Sequence, residues 1–208
     1  MTTLLIATNN HGKLVELREL LADLPLDLVT LRDVGIDTEV EETGDTFAAN
    51  AILKAVQYGQ MADLPTLADD SGLEVDALGG EPGVQTARYG APEARSHRDR
   101  YLLLLRNLAG VPWERRTARF RCVIALATPR FDSDDEADVQ TVEGVLEGYI
   151  AFEPAGEGGF GYDPVFYVPE YGCTLAELPA DVKNRISHRG QAVQAARPLL
   201  GALGDPHE

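Results

Sequence analysis

The sequence contains little cysteine and no long hydrophobic run. Cysteine occurs only at Cys122 and Cys173, too few and too far apart for a disulfide framework or a metal-binding motif, which fits a reducing cytoplasm. No apolar run approaches the length of a membrane span, and residues 4–7 are too short and lack the basic lead-in of a signal peptide. We therefore expect a cytoplasmic protein with no membrane partner.

Basic residues are also scarce, since 34 acidic side chains against 18 basic ones give a net charge of −16. A general nucleic-acid binder shows a basic excess or a basic stripe, and because neither is present we predict no nucleic-acid partner. Only three basic residues are lysines, namely Lys13, Lys54 and Lys183. Lysine is a compact point charge, so its retention there indicates either tight contacts with phosphate or base, or chance survival.

The residues that are present indicate an α/β fold. The chain has 208 residues, 44% of them hydrophobic, enough for one domain or two lobes around a shared sheet. Hydrophobic patterning predicts strands at residues 2–7, 28–31, 66–68, 73–75, 120–128 and 139–150, and helices after residue 10, from about residue 46, at 94–108 and up to 203. We interpret the acidic stretch 131–138 as the solvated tip of a hairpin.

Two adjacent carboxylates, Asp69 and Asp70, follow the predicted strand at 66–68, and Ser71-Gly72 has the composition of a turn. Adjacent acids at the end of a buried strand repel each other and are costly to desolvate. A divalent cation such as Mg²⁺, bound with a phosphate substrate, would remove both costs. A solvated turn is the alternative, because this composition suits any loop.

A second candidate site is the polar turn between the first strand and the first helix. Asn10 is a plausible N-cap, and Lys13 lies in the first turn, where free amides and the helix dipole favour an anion. The spacing is not that of a P-loop, and a capped structural helix is the alternative. On the second helix, Asn50 and Lys54 share a stripe with apolar residues. A carboxylate or phosphate near Lys54 would explain this position, and so would a lysine that snorkels from the edge of the stripe.

The last candidate segments lie near the C-terminus. Glycine is dense at 156–164 and surrounds Phe160, an aromatic ring that could stack on a base; a flexible hairpin loop is the alternative. Lys183, His188 and Arg189 then form the densest group of hydrogen-bond donors on this acidic chain.

These blocks, in this order, resemble the inosine/xanthosine triphosphate pyrophosphatase family. The resemblance rests on T-N-N-H-G-K at residue 8, E-E-T-G-D-T-F at 41, A-D-D-S-G-L at 68, A-R-Y at 87, G-G-F-G-Y-D-P at 158 and I-S-H-R-G at 186, and it covers nearly the whole chain. It implies an elongated mixed β-sheet with flanking helices, in which residues 1–208 form a single two-lobed domain around a central substrate cleft. It also implies a homodimer that uses Mg²⁺ to hydrolyse deaminated purine nucleoside triphosphates.

The resemblance also implies roles for individual residues. Glu42 and Asp70 would bind the metal, Asp70 would accept a proton with Asp69 beside it, and Lys54 would neutralise the phosphates. The other substrate-binding residues it implies are Thr8, Asn9, Asn10, His11, Gly12, Lys13, Ser71, Arg88, Phe160, Gly161, Tyr162, Asp163, Lys183, His188 and Arg189. The family pattern differs slightly at Asn9 and Gly90, and neither difference removes a chemical group.

Two other functions remain open from the sequence. One is a nucleotide-binding sensor without turnover, against which stands the presence of every carboxylate and lysine of the implied site. The other is a pyrophosphatase that acts on other modified nucleotides.

Overall fold

The computed structural model describes residues 2–128 and 137–203. Strands and helices alternate up to residue 128, and three further strands and then two helices follow from residue 138. The strands are β1 (Thr2–Ile6), β2 (Leu26–Thr30), β3 (Thr66–Val75), β4 (Thr117–Thr128), β5 (Asp138–Ile150), β6 (Phe166–Val168) and β7 (Cys173–Thr174). The helices are α1 (His11–Leu21), α2 (Phe47–Ala62), α3 (His97–Asn107), α4 (Ala180–Ile186) and α5 (His188–Ala202). The predicted α/β class is confirmed.

All the strands belong to one mixed sheet in the order β2-β1-β3-β4-β5-β6-β7. β1 pairs in parallel with β2 and β3, whereas β6 pairs antiparallel with β5 and β7. β4 and β5 are neighbours, as the predicted hairpin requires. Its acidic tip at 131–138 falls largely on residues 129–136, which lie outside the described part of the chain.

The first helices begin where capping chemistry places them. The Asn10 side chain accepts from the Lys13 amide at the start of α1, and Thr46 accepts from the Ala49 amide at the start of α2. Helix α3 begins at His97 and not at Ala94, because Ser96 and Asp99 form a capping box that fixes its first turn.

The predicted turn at Ser71-Gly72 is wrong. β3 runs without a break from Thr66 to Val75, so Asp69 and Asp70 lie in the middle of a strand and not at its end. The composition resembles a turn, but the cost of two buried acids is offset by lysine side chains that the local sequence does not reveal.

The chain divides into two compact units. The first comprises Met1–Asp70, Cys122–Gly144 and Gln191–Glu208, and the second comprises Ser71–Arg121 and Val145–Gly190. The first has an apolar core that includes Leu4, Ile6, Leu17, Leu67, Cys122, Ile124 and Val193. The second has its own core, which includes Leu73, Leu104, Phe120, Ile150, Phe166 and Leu175.

A search for membrane-spanning helices gives a negative result for residues 2–128 and 137–203: none is both long and apolar enough to cross a bilayer.

Candidate functional site

The first unit brings together three carboxylates and two lysines that are far apart in the sequence. Asp69 and Asp70 come from β3, Glu42 from the irregular segment before α2, Lys13 from the first turn of α1 and Lys54 from the buried face of α2. We call these five residues the carboxylate–lysine cluster. With every group ionised, its formal charge is −1.

Lys54 joins the carboxylates of this cluster. Its Nζ lies 2.6 Å from Glu42 Oε1 and 3.4 Å from Asp70 Oδ1, and it donates to the Asp69 carbonyl at 2.8 Å. Only 9% of the residue is exposed. Burial alone would lower the pKa of Lys54, but the charges of Asp70, Asp69 and Glu42 outweigh it and raise this pKa. Lys54 is therefore a cation held among carboxylates, which is one of the two interpretations that its position on the apolar stripe left open.

Asp70 lies in a different electrostatic setting from an ordinary salt-bridged acid. Burial in β3 raises its pKa, and Lys54 and Lys13 lower it only in part because they are shared with Glu42 and Asp69. The carboxylate is held on both oxygens, since Oδ1 faces Lys54 and Oδ2 accepts from Asn50 Nδ2 at 3.2 Å. A carboxylate with a raised pKa and a fixed orientation is suited to accepting a proton.

The polar turn of residues 8–13 forms the start of α1 as predicted. Thr8 Oγ1 accepts from the Asn10 amide and Asn10 Oδ1 accepts from the Lys13 amide, each at 3.2 Å. Lys13 Nζ lies 3.1 Å from Asp69 Oδ2, which supplies the anion expected beside a lysine in a first helical turn. Asn9 and His11 are exposed, and Gly12 is half-buried. The turn thus contributes Lys13 to the carboxylate–lysine cluster, and Asn9, Asn10 and His11 are open to solvent.

The second unit contains a separate group built around the half-buried ring of Phe160. Lys183 Nζ lies 5.0 Å and Arg189 Cζ 5.7 Å from the ring centroid, within cation–π range. Asp163 Oδ2 accepts from Lys183 Nζ at 2.6 Å and from the Phe160 amide at 2.7 Å. Arg189 also donates from Nη2 to Ser71 Oγ at 2.9 Å. We call Phe160, Asp163, Lys183 and Arg189 the cation–aromatic cluster.

The remaining predicted residues of the second unit differ in burial and in the contacts they make. Tyr162 is buried, its hydroxyl donates to the Thr86 carbonyl at 2.9 Å, and burial raises its pKa. His188 is buried with its ring stacked on Phe120, with 4.7 Å between centroids. Gly161 is half-buried with φ of 66°, and Arg88 is exposed at the end of a 3-10 turn. In this structure the contacts of Tyr162 and His188 support the fold around the cation–aromatic cluster.

The carboxylate–lysine cluster fits a magnesium ion only in part by itself. Glu42 and Asp70 offer the hard oxygen ligands that Mg²⁺ prefers, and a divalent cation would compensate the net negative charge. Across the described ranges, however, no group of three or more His, Cys, Asp or Glu side chains could hold a metal ion. The donor set therefore suits a metal whose remaining ligands come from substrate phosphate and water, which is how Mg²⁺ usually binds.

Two contacts of the carboxylate–lysine cluster were not predicted from the sequence. Cys122, fully buried in β4, donates from Sγ to Asp69 Oδ2 at 3.8 Å, a weak contact that depends on the pairing of β3 with β4. Asn50, predicted only to lie on the buried stripe, also contacts Asp70. An amide among apolar residues was the available signal for Asn50, whereas nothing in the sequence indicated Cys122.

Comparison with known proteins identifies similar chains over nearly the whole length. A family model described as the Ham1 family matches residues 4–199. A dITP/XTP pyrophosphatase from Desulforamulus reducens is 51% identical over 201 residues, 96% of both chains, and one from Geobacter sulfurreducens is 48% identical over 98% of this chain and 99% of its own. The solved structure of a HAM1 protein from Coxiella burnetii matches with a TM-score of 0.85 and 40% identity, covering 97% of this chain and 100% of its own.

Proposed function

The chain belongs to the Ham1 family, and from this premise we propose that it is a nucleoside triphosphate pyrophosphatase acting on non-canonical purine nucleotides. The proposed substrates are inosine and xanthosine triphosphates and their deoxy forms. Water attacks the α-phosphorus, the bond to the bridging oxygen of the β-phosphate breaks, and the products are the nucleoside monophosphate and pyrophosphate. Removal of such nucleotides would cleanse the nucleotide pool.

The observation that carries this proposal is the carboxylate–lysine cluster. Asp69, Asp70 and Lys54 are buried in the first unit, where unpaired charges are costly and apolar side chains would pack at lower cost. Buried carboxyl groups with a shifted pKa, such as Asp70, are enriched at functional sites. The arrangement supplies both cations for phosphate oxygens and a carboxylate for water.

Each residue of the cluster has a chemical task in the proposed reaction. Lys13 and Lys54 neutralise phosphate oxygens, and Asp70 orients the attacking water and accepts its proton. Asp69 keeps Lys13 in place through their 3.1 Å contact. Glu42 and Asp70 would hold Mg²⁺, which when bound would stabilise the charge that develops on the transferred group.

The cation–aromatic cluster supports a preference for purines with an oxygen at position six. Lys183 and Arg189 are donors without acceptor capacity, so they match a carbonyl and not the amino group of adenine. Unmatched buried donors cost about 1–3 kcal/mol each, which for two contacts corresponds to a preference on the order of 10³-fold. We therefore expect adenosine triphosphate to be the poorest purine substrate. Guanosine triphosphate, which shares the six-oxo group, should be intermediate.

A substrate panel tests the proposal directly. Pyrophosphate release is measured from the triphosphates of deoxyinosine, xanthosine, guanosine and adenosine and from a modified pyrimidine triphosphate, each with Mg²⁺ and with a chelator. We expect release to require Mg²⁺ and to follow the order just given. Tight binding without release would instead indicate a nucleotide sensor, and fastest turnover of a modified pyrimidine would indicate a different substrate class.

We also propose that the enzyme acts in the cytoplasm as a homodimer, which rests on the family resemblance. Light scattering coupled to gel filtration measures the molar mass in solution. A mass near twice 22.5 kDa supports the dimer, and a mass near 22.5 kDa contradicts it.

A further inference from the structure

Asn50 occupies a position between two parts of the carboxylate–lysine cluster. It lies on the inner face of α2, is 2% exposed, and is adjacent to neither carboxylate in the sequence. Its Oδ1 accepts from the Gly44 amide at 2.7 Å, and its Nδ2 donates to the Gly44 carbonyl and to Asp70 Oδ2, both at 3.2 Å. One side chain thus contacts both the segment that carries Glu42 and the carboxylate of Asp70.

The chemistry of these contacts requires an amide. A carboxamide has one acceptor oxygen and two N–H donors, and the three contacts use one acceptor and both donor directions. Aspartate at this position would place oxygen against the Gly44 carbonyl and against Asp70, and an apolar residue would leave the Gly44 amide without this acceptor. The polar residue on the apolar stripe is therefore matched to its neighbours on both sides.

Gly44 is shaped to the same contact. A Cβ added to Gly44 would lie 2.7 Å from Asn50 Oδ1 and 2.7 Å from Ala49 Cβ, closer than real Cβ contacts allow. A side chain at residue 44 would have to displace the Asn50 amide or the backbone of the segment. The absence of a side chain at residue 44 is thus a condition for the Asn50 contacts.

We propose that Asn50 is a positioning residue that fixes the Asp70 carboxylate relative to the Glu42 segment, and this inference rests on the proposed function of the cluster. Asp70 Oδ2 is held by Asn50 while Oδ1 remains directed at Lys54. Without Asn50, the carboxylate can rotate and the Glu42 segment loses two of its hydrogen bonds. A misplacement of about 1 Å can cost about 10²-fold in rate. We expect the loss in kcat because, in the proposed reaction, the Asp70 carboxylate acts on the attacking water.

The test compares Asn50→Leu with Asn50→Ala. Leucine keeps the branched shape and the number of side-chain heavy atoms of asparagine and removes every hydrogen bond. A packing role therefore predicts an Asn50→Leu enzyme that is less impaired than Asn50→Ala, whereas a positioning role predicts two similarly impaired variants. We expect kcat for deoxyinosine triphosphate to fall about 10- to 100-fold in both, with KM changed by less than about 3-fold. Hydrogen exchange of the Gly44 amide, which needs no catalysis, should accelerate in both.

Tyr58→Phe is the matched control. The Tyr58 hydroxyl accepts from the Val40 amide at 3.0 Å, so it anchors the same segment from a buried position through a different hydrogen bond. We expect nearly normal kcat and unchanged Gly44 exchange in this variant. An equal fall of kcat in Tyr58→Phe would show that general loosening of the segment, and not Asn50, sets the rate.

Gly44→Ala provides an independent route to the same result, which also covers the case that Asn50→Leu does not fold. It should lower kcat like Asn50→Leu, and the double variant should be no worse than Asn50→Leu alone, because both changes remove one contact. Additive losses, or wild-type kcat in a folded Asn50→Leu protein, would overturn the inference. If the wild-type protein itself releases no pyrophosphate, the proposed function is wrong. The Asn50 contact is then tested by hydrogen exchange alone, and unaltered Gly44 exchange in Asn50→Leu would refute it.

Discussion

Each lysine of this chain forms an ion pair with an aspartate of a candidate cluster. Lys13 pairs with Asp69, Lys54 with Asp70, and Lys183 with Asp163, at 3.1, 3.4 and 2.6 Å. Arginine, the only other strong cation of the chain, would bring a planar fork and several donors to places where one point charge fits between oxygens. The three lysines of the chain therefore lie where a specific ion pair suits a compact cation.

The first residue-scale prediction concerns Asp70. Asp70→Asn keeps the size of the side chain and removes the proton acceptor, so kcat for deoxyinosine triphosphate should fall roughly 10²-fold or more. Asp45→Asn, which changes an exposed acid in the segment before α2, should leave kcat unchanged. Stopped assays of pyrophosphate release measure both variants, and a nearly normal rate in Asp70→Asn would remove Asp70 from the mechanism.

A second residue-scale prediction separates phosphate contacts from base contacts. Lys13→Ala should lower kcat/KM for all purine triphosphates by a similar factor, because it acts on phosphates that every substrate shares. Arg189→Ala should reduce the preference for inosine over adenosine triphosphate more than Lys13→Ala does. The measurement is the ratio of kcat/KM values for the two substrates in each variant. If both variants scale all substrates equally, Arg189 does not read the base.

At the residue scale, much of the candidate site could be predicted. Carboxylates beside an apolar run and a lysine on an apolar stripe are local signals, and they pointed to Asp69, Asp70 and Lys54. Cys122 could not be predicted, because its contact with Asp69 depends on which strands are neighbours in the sheet. The buried surroundings of Tyr162 and His188 were also hidden, since the packing around an aromatic ring is set by distant segments.

At the scale of elements, α4 and α5 meet at a tight corner that carries Lys183 on one side and His188 with Arg189 on the other. Ser187 Oγ accepts from the Gly190 amide at 3.0 Å, as an N-cap residue does. A Cβ on Gly190 would collide with the Asn184 carbonyl oxygen, which belongs to the backbone and has little room to move. This close approach explains why glycine is needed after the I-S-H-R run.

Gly190→Ala should therefore destabilise the protein by about 1–3 kcal/mol, because the corner has to open to admit a methyl group. Gly201→Ala is the control: it also lies in α5, but an added Cβ meets no atom within 4 Å, so helix propensity should leave it neutral or gain up to about 1 kcal/mol. Denaturant unfolding of the two variants measures the difference. Equal stabilities would mean that the corner is not tight.

The strand β3 shows why the element boundaries were only partly predictable. Periodicity and caps located α1 and α2 well, because those signals lie within the helices themselves. The apparent turn at Ser71-Gly72 was misleading. Lys13 and Lys54, which are distant in sequence, form ion pairs with Asp69 and Asp70 and so offset the cost of burying two acids in a continuous strand. Local composition records what a segment prefers alone, and tertiary ion pairs reversed that preference here.

At the scale of the whole molecule, a net charge of −16 on 208 residues imposes repulsion on the folded state. Part of the positive charge lies in ion pairs at the surface. Arg119 pairs with Asp76 and Glu147, and Arg197 pairs with Asp23. Exposed pairs of this kind contribute little stability. The remaining repulsion acts over distances that salt can screen.

We therefore expect salt to stabilise the protein. Raising sodium chloride from about 50 mM to about 500 mM shortens the screening length, and a gain of about 1 kcal/mol would raise Tm by about 2–4 °C for a chain of this size. Potassium chloride at the same ionic strength should act equally, because the effect is one of screening. Calorimetry measures the shift, and a constant or falling Tm would contradict the role of net charge.

The burial of Cys122 turns this thiol into a reporter on the motions of the first unit. Because Cys122 is fully buried beside Asp69, a thiol reagent can reach it only when β4 transiently opens, whereas Cys173 is half-buried. In a Cys173→Ser protein, we expect one slow phase of labelling whose rate measures how often the interior of the first unit is exposed. Labelling as fast as that of a free peptide thiol would show that the part of β4 beside Asp69 is open to solvent most of the time.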